Sequence, residues 1–247
     1  MRAGTPRHGS PSARGRVIHT LEDADAVAHA AAERVLDSGR AAIGARGAFR
    51  IALSGGATPG RLYRRLASAA LRARCDWRRA VFLFADERAV PPDHPDSNYR
   101  LARQTLLEPL EIEPAQVRRM RGEEPDLDAA ARAYELELES PIDLLVMGVG
   151  PDGHTASVFP EHAAAGEKLR RCVAVLDSPK PPPRRLTLTP RALEEALGAI
   201  VLATGAEKAA AVAAAFDASV TPERCPAVLL RDREWFVDRE AAGRLPR

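Results

Sequence analysis

Apolar positions along the 247-residue chain fall into short continuous runs, separated by longer Ala- and Leu-rich stretches with helical spacing. Val81–Ala85 and Ile142–Met147 are continuous apolar runs of the kind that form strands buried on both faces, and Phe49–Leu53 and Ala199–Ala203 also read as strands. Arg16–His19, Cys172–Leu176, Leu186–Thr189 and Val228–Leu230 are further strand candidates. Between them the pattern predicts a helix from Leu21 to about Ile43, with Thr20 as N-cap and Asp23 in a capping-box place. More helices are expected over Pro59–Ala70, Ser97–Leu107, Leu127–Glu139, Pro190–Leu197 and Ala206–Phe216. Strands alternating with helices predict an α/β fold of three layers: a doubly wound, mostly parallel sheet with helices on both faces. Residues 1–15, rich in Gly, Pro, Ser and Arg, read as a disordered tail, and residues 16–247 as a single domain. The Pro-rich stretch Ser178–Pro183 is the best candidate for a break, but it lies between two strand candidates, where a rigid surface loop also fits.

Composition narrows the function classes. Hydrophobic residues make up 45% and charged residues 28%, as in an ordinary soluble domain, and aromatics only 4%, so Ala, Leu and Val must fill the core. A formal net charge of +2 argues against a large nucleic-acid surface. Cys75, Cys172 and Cys225 are scattered and odd in number, without zinc spacing, which fits a reducing compartment. No apolar run approaches a membrane span and no leader pattern opens the chain. The expectation is a cytoplasmic protein with no nucleic-acid or membrane partner, monomeric or weakly self-associating.

In open parallel sheets, ligands bind at the carboxyl ends of the strands. Three segments just after strands carry chemistry. In Ser54-Gly55-Gly56-Ala57-Thr58-Pro59, Pro59 suits a first helical turn and Thr58 is the natural N-cap. The glycines there would let backbone amides face an anion at a helix start; a plain strand-to-helix turn fits equally well. In Asp86-Glu87-Arg88, an apolar strand ends in three charges. Arg88 could grip an anion or simply pair with one of the acids. In the third segment a strand runs into Gly148-Val149-Gly150-Pro151-Asp152-Gly153-His154, which presents a potential general base beside an acid. Gly148, Gly150 and Gly153 also match a dinucleotide-binding pattern, with Asp177 downstream. Two features count against it: Asp152 stands where a pyrophosphate should sit, and Pro160 interrupts the helix that should follow.

Taken together, the three loops resemble the 6-phosphogluconolactonase family. Ser54–Pro59 is similar to its SGG-x-TP loop, with Ala57 where Ser is commoner. Asp86-Glu87-Arg88 with Val90-Pro91 and Ser97-Asn98 is similar to its DER-x-VP…SN segment, and Gly150–Pro160 to its GPDGHTAS-x-FP signature. Weaker echoes lie in Arg185–Thr189 and Trp235–Asp238. The resemblance implies hydrolysis of 6-phospho-D-glucono-1,5-lactone, the second step of the oxidative pentose phosphate pathway, without cofactor or metal. It implies His154 as the base that activates water and Asp152 as the acid orienting it, with loop amides near Gly150 and Gly153 as oxyanion donors. The phosphate would lie on Ser54, Gly55, Gly56 and Thr58, clamped by Arg88 and Arg185. Asn98 would contact sugar hydroxyls or brace the loop, and Asp86 and Glu87 would hold Arg88. Ser54 and Ser157 lack the elbow of a serine hydrolase. Two alternatives stand beside this reading: a glucosamine-6-phosphate deaminase-like enzyme and a non-catalytic sugar-phosphate sensor. Deaminases share the fold and a DGH loop but carry a catalytic Glu where this chain has Phe159, and Pro91 and the Asp93–Asp96 turn fit the lactonase pattern better.

Overall fold

The computed structural model describes residues 17–246, so the expected 1–15 tail lies outside the described residues, as does the expected strand start at Arg16. Six parallel strands form the central sheet: β1 (Val17–Leu21), β2 (Phe49–Leu53), β3 (Ala80–Phe84), β5 (Leu144–Gly148), β8 (Ala199–Ala203) and β9 (Glu234–Asp238), in the order β1-β9-β8-β5-β2-β3. All five residues of β8 are buried, as are four of the five in β5. Successive strand residues point to opposite faces, so both faces are covered, as the unbroken apolar runs predicted. The covering helices are α1 (Ala24–Arg46), α2 (Ala57–Leu66), α3 (Asn98–Ala102), α4 (Leu127–Leu136), α5 (Pro190–Glu195) and α6 (Ala209–Phe216).

A second, antiparallel sheet was not foreseen. It consists of β4 (Asp86–Arg88), β6 (Cys172–Val175) and β7 (Arg185–Leu188), in the order β4-β7-β6. The chain leaves the large sheet at Ala85, whose amide donates to Leu53 and whose carbonyl accepts from Leu188. This hand-over explains why an apolar strand turns abruptly into Asp86-Glu87-Arg88.

Three local expectations are corrected. The cap of α1 is Asp23, whose carboxylate accepts from the amides of Asp25 and Ala26; Thr20 is still inside β1, paired with Val237. Val228–Leu230 is a short 3-10 turn beginning at Pro226, and the strand there is β9. The helix expected over Ser97–Leu107 is α3 followed by a π-turn over Arg103–Leu107. Among the described residues, no helix is long and apolar enough to cross a membrane.

Candidate active site

The carboxyl ends of β8, β5 and β2 lie side by side in the sheet. From β2 the chain proceeds to the edge strand β3, then returns to β5 on the other side of β2. The loops after β2 and β5 therefore diverge, which opens a crevice between them. A cleft of about 300 Å³ occupies that place. It is lined by Ser54–Pro59 after β2, by Gly148–Pro151, His154 and Ala156 after β5, and by Thr204, Glu207 and Lys208 after β8. The small sheet adds Asp86, Arg88 and Arg185.

His154 is held from behind. Its Nδ1 lies 2.5 Å from Asp152 Oδ1, and its ring rests 4.7 Å, centre to centre, from the fully buried Phe159 ring. A proton must sit between a carboxylate oxygen and a nitrogen this close, so Nδ1 carries it and Nε2 is left as the basic nitrogen. Partial burial opposes ionisation of Asp152, but the hydrogen bond from His154 and the charge and hydrogen bond of Lys180 outweigh it and hold the carboxyl far below its ordinary range. Gly150 is required at its position: a Cβ there would fall 2.0 Å from His154 Nδ1.

The glycine turn is fastened by Tyr63 of α2. Its hydroxyl donates to Ser54 O at 2.7 Å and accepts from Ser54 N at 3.0 Å, entirely buried. The N-cap of α2 is Gly56, without a side-chain cap, so the first-turn amides beyond it have no partner within the helix. Thr58 is already in the helix and its hydroxyl pairs with Thr204 at 2.8 Å, which corrects its expected capping role.

The chain matches a family model described as glucosamine-6-phosphate isomerases/6-phosphogluconolactonase over residues 22–237. It belongs to that family. A 6-phosphogluconolactonase of Mycobacterium tuberculosis is 38% identical over 244 residues, spanning 93% of this chain and 98% of its own. The human 6-phosphogluconolactonase is 41% identical over 216 residues, 82% of each chain. The structure of 6-phosphogluconolactonase from Trypanosoma brucei superposes with a TM-score of 0.82 at 29% identity, covering 94% of this chain and 99% of that one. A monomeric glucosamine-6-phosphate deaminase superposes at 0.80 with 20% identity, a likeness of fold alone.

Within this family framework the structure gathers some expected residues and sets others aside. Ser54, Gly55, Gly56, Thr58, Asp86, Arg88, Gly150, His154 and Arg185 line the cleft. Asp152 stands behind His154, in contact with its Nδ1. Gly153 does not line the cleft; it turns the chain at φ +84° against Cys225. The expected oxyanion amides are consumed in that turn, since Gly150 N donates to His154 O and Gly153 N to Gly150 O. Asn98 is a brace: its Nδ2 donates to the Asp86 carbonyl and carboxylate, and its Oδ1 fills the space where a Gly55 Cβ would be, 1.8 Å away. Glu87 does not grip the Arg88 guanidinium. Its buried carboxylate accepts from the amides of Arg88, Asn98 and Tyr99 and from Ser97 Oγ, fastening the start of α3. Asp86 accepts from Ser157 Oγ at 2.7 Å, which commits that hydroxyl.

Arg185 is less free than a clamp would be. Its Nε donates to Pro182 O, its Nη2 to Lys180 O and Pro181 O, and its Nη1 lies 3.4 Å from Ser157 Oγ. Arg88 donates from Nη1 to Asp96 O at 2.6 Å, while its Nε is buried with no protein partner. The sequence reading missed Lys208, in the loop after β8. Burial, and to a lesser extent Lys180, lower its pKa against the pull of Glu207 and Asp152. The signal was present, an apolar strand running into Thr204-Gly205, but without paired glycines it read only as a helix start. Among the described residues, no group of three or more His, Cys, Asp or Glu is placed to hold a metal.

Proposed function

We propose that this protein hydrolyses 6-phospho-D-glucono-1,5-lactone to 6-phospho-D-gluconate. The observation that carries this reading is the convergence, in one cleft, of an acid-oriented imidazole and an anion-binding helix start. The phosphate lies against the first-turn amides of α2, with Lys208 as its main cation and Arg185 adding positive field. Amides and dipole both favour an anion there. The names of the Mycobacterium tuberculosis and human relatives, both 6-phosphogluconolactonases, at 38% and 41% identity over most of the chain, support the same substrate.

His154 Nε2 takes a proton from a water molecule as its oxygen adds to the lactone carbonyl carbon. The resulting oxyanion faces the guanidinium of Arg88, which lines the cleft. Collapse of the tetrahedral intermediate breaks the bond to the ring oxygen, and the imidazolium returns its proton there. The products are a hydroxyl and a carboxylic acid, which ionises. Asp152 keeps Nδ1 protonated throughout, so the accepting lone pair stays on Nε2. No covalent enzyme intermediate and no cofactor take part.

The test is a rapid lactonase assay with spontaneous hydrolysis subtracted. His154→Asn is expected to lower kcat by about 10²–10⁴-fold, the usual worth of a general base. Binding of the phosphorylated product should survive. Unchanged turnover would remove His154 from the reaction, and ammonia released from glucosamine 6-phosphate would favour the deaminase reading instead.

A further inference from the structure

Between β6 and β7 the segment Ser178–Pro183 forms a loop that is held from several sides. Ser178 N donates to Pro183 O at 2.9 Å, and Ser178 Oγ donates to Lys180 O at 2.9 Å. The Arg185 guanidinium collects the carbonyls of Lys180, Pro181 and Pro182. Just before the loop, Asp177 Oδ1 meets His162 Nε2 at 2.8 Å, tying it to the segment that carries His154. Three prolines in a row further restrict the backbone. From this fixed base the Lys180 side chain reaches back to the catalytic pair. Its Nζ lies 3.0 Å from Asp152 Oδ2 and 3.3 Å from His154 Nδ1.

We propose that Lys180 is a positioning residue for the base, holding the free oxygen of Asp152 so that its other oxygen faces His154 Nδ1, and setting a positive charge beside the imidazole. This rests on the reading of His154 as general base. An ammonium has only donors and a carboxylate only acceptors, so Lys180 must take Oδ2 while Nδ1–H takes Oδ1. The two bonds from opposite partners fix the carboxylate plane. The charge effect follows from the same geometry. A carboxylate beside an imidazole raises its affinity for a proton, and a base protonated at rest cannot act. A cation 3.3 Å from Nδ1 opposes that rise. Other charged groups around the imidazole are Lys208 and Glu207 after β8, Asp86 and Arg88 on β4, and Arg185 on β7. Of all these charges, Asp152 and Lys180 are the two within hydrogen-bond reach of Nδ1. The loop also joins two tasks: its carbonyls hold Arg185 at the cleft, while its side chain holds the partner of the base.

The decisive experiment is the pH profile of kcat for Lys180→Met and Lys180→Arg beside the parent and His154→Asn. Lys180→Met should move the acid limb upward by about one pH unit, the size expected of removing a unit charge a few ångströms away in a partly wet site. Its plateau kcat should fall by about tenfold, as for loss of a group that orients a catalytic residue, with little change in KM. Lys180→Arg should restore the limb. NMR of the imidazole nitrogens in the intact protein gives a second measurement that needs no variant, and the Nδ1–H form should predominate at neutral pH. An acid limb unmoved in Lys180→Met, or an Nε2–H form in the parent, overturns the role of Lys180. If His154→Asn keeps full turnover, the base reading itself has failed, and Lys180 falls with it. If His154→Asn is inactive while Lys180→Met keeps the parent's limb, only the role of Lys180 is lost.

Discussion

Close packing against the histidine makes Gly150→Ala a sharp test of whether the placement of the imidazole matters. The added Cβ would fall 2.0 Å from Nδ1 and 2.1 Å from Cε1 of His154, and 2.6 Å from Asp152 Oδ1. Ordinary contact begins at about 3.4 Å, so the ring must retreat by roughly 1.4 Å or leave its acid. A misplacement of about 1 Å in a reacting group costs on the order of 10²-fold in rate. The expected loss in kcat is therefore about 10²-fold, or ~2.7 kcal/mol of barrier. Gly150 does not have positive φ, so alanine brings no backbone strain and the fold should persist. The phosphate-binding turn lies on a different loop, so affinity for 6-phosphogluconate should change little. Background-subtracted lactone hydrolysis in a pH-stat gives kcat, and calorimetry with 6-phosphogluconate gives the affinity. A Gly150→Ala protein whose kcat stays within about threefold of the parent would refute the argument that this pair must stand where the structure puts it.

Two further outcomes follow from the other wall of the cleft. Tyr63→Phe strands the buried amide and carbonyl of Ser54, so denaturant unfolding should show a loss of about 2 kcal/mol, accompanied by weaker binding of phosphorylated ligands. Lys208→Met should weaken binding of 6-phosphogluconate by at least tenfold, roughly 1.4 kcal/mol, yet leave binding of unphosphorylated gluconate unchanged. In the parent, burial lowers the pKa of Lys208, so phosphate affinity should decline at high pH earlier than an ordinary lysine would allow. Lys208→Arg should shift that decline upward.

How much of this was legible in the sequence varied with how local the cause is. β3 and β5 announced themselves because strands buried on both faces need no polar alternation, and β2 and β8 are short apolar-rich segments between helical patterns. β9 did not, because Glu234 and Asp238 frame it. Glu234 is there to meet His19 and Arg34, and Asp238 to hold the amides of Gly205 and Ala241. The charges of Asp86-Glu87-Arg88 read as a strand end with undefined partners. Their true setting is a short antiparallel strand whose acids are satisfied by Ser97, Asn98 and Ser157, residues that only the fold brings near. The Asp152–His154 pair was readable from adjacency. Lys180 was not, since it lies 26 residues beyond His154 and nothing between them tells that the proline loop folds back onto the base.

The same comparison shows why architecture alone does not choose between the two chemistries of this family. The sheet superposes almost as well on a deaminase as on a lactonase, with TM-scores of 0.80 and 0.82. What separates them lies five residues beyond the histidine, where the resemblance places a catalytic Glu in deaminases and this chain has Phe159. Here the Phe159 ring is wholly buried, tilted against the imidazole at 4.7 Å and lying 5.4 Å beneath the Arg185 guanidinium. An apolar ring in that place cannot carry a proton. It packs against one side of the imidazole, and it leaves the positive charge of Arg185 unneutralised from that side. Opening an activated ester needs one proton shuttle and a cationic field, whereas ring opening with isomerisation and loss of an amine needs a second proton carrier. The chain supplies the first set of groups and, at the position that matters, replaces the second with packing.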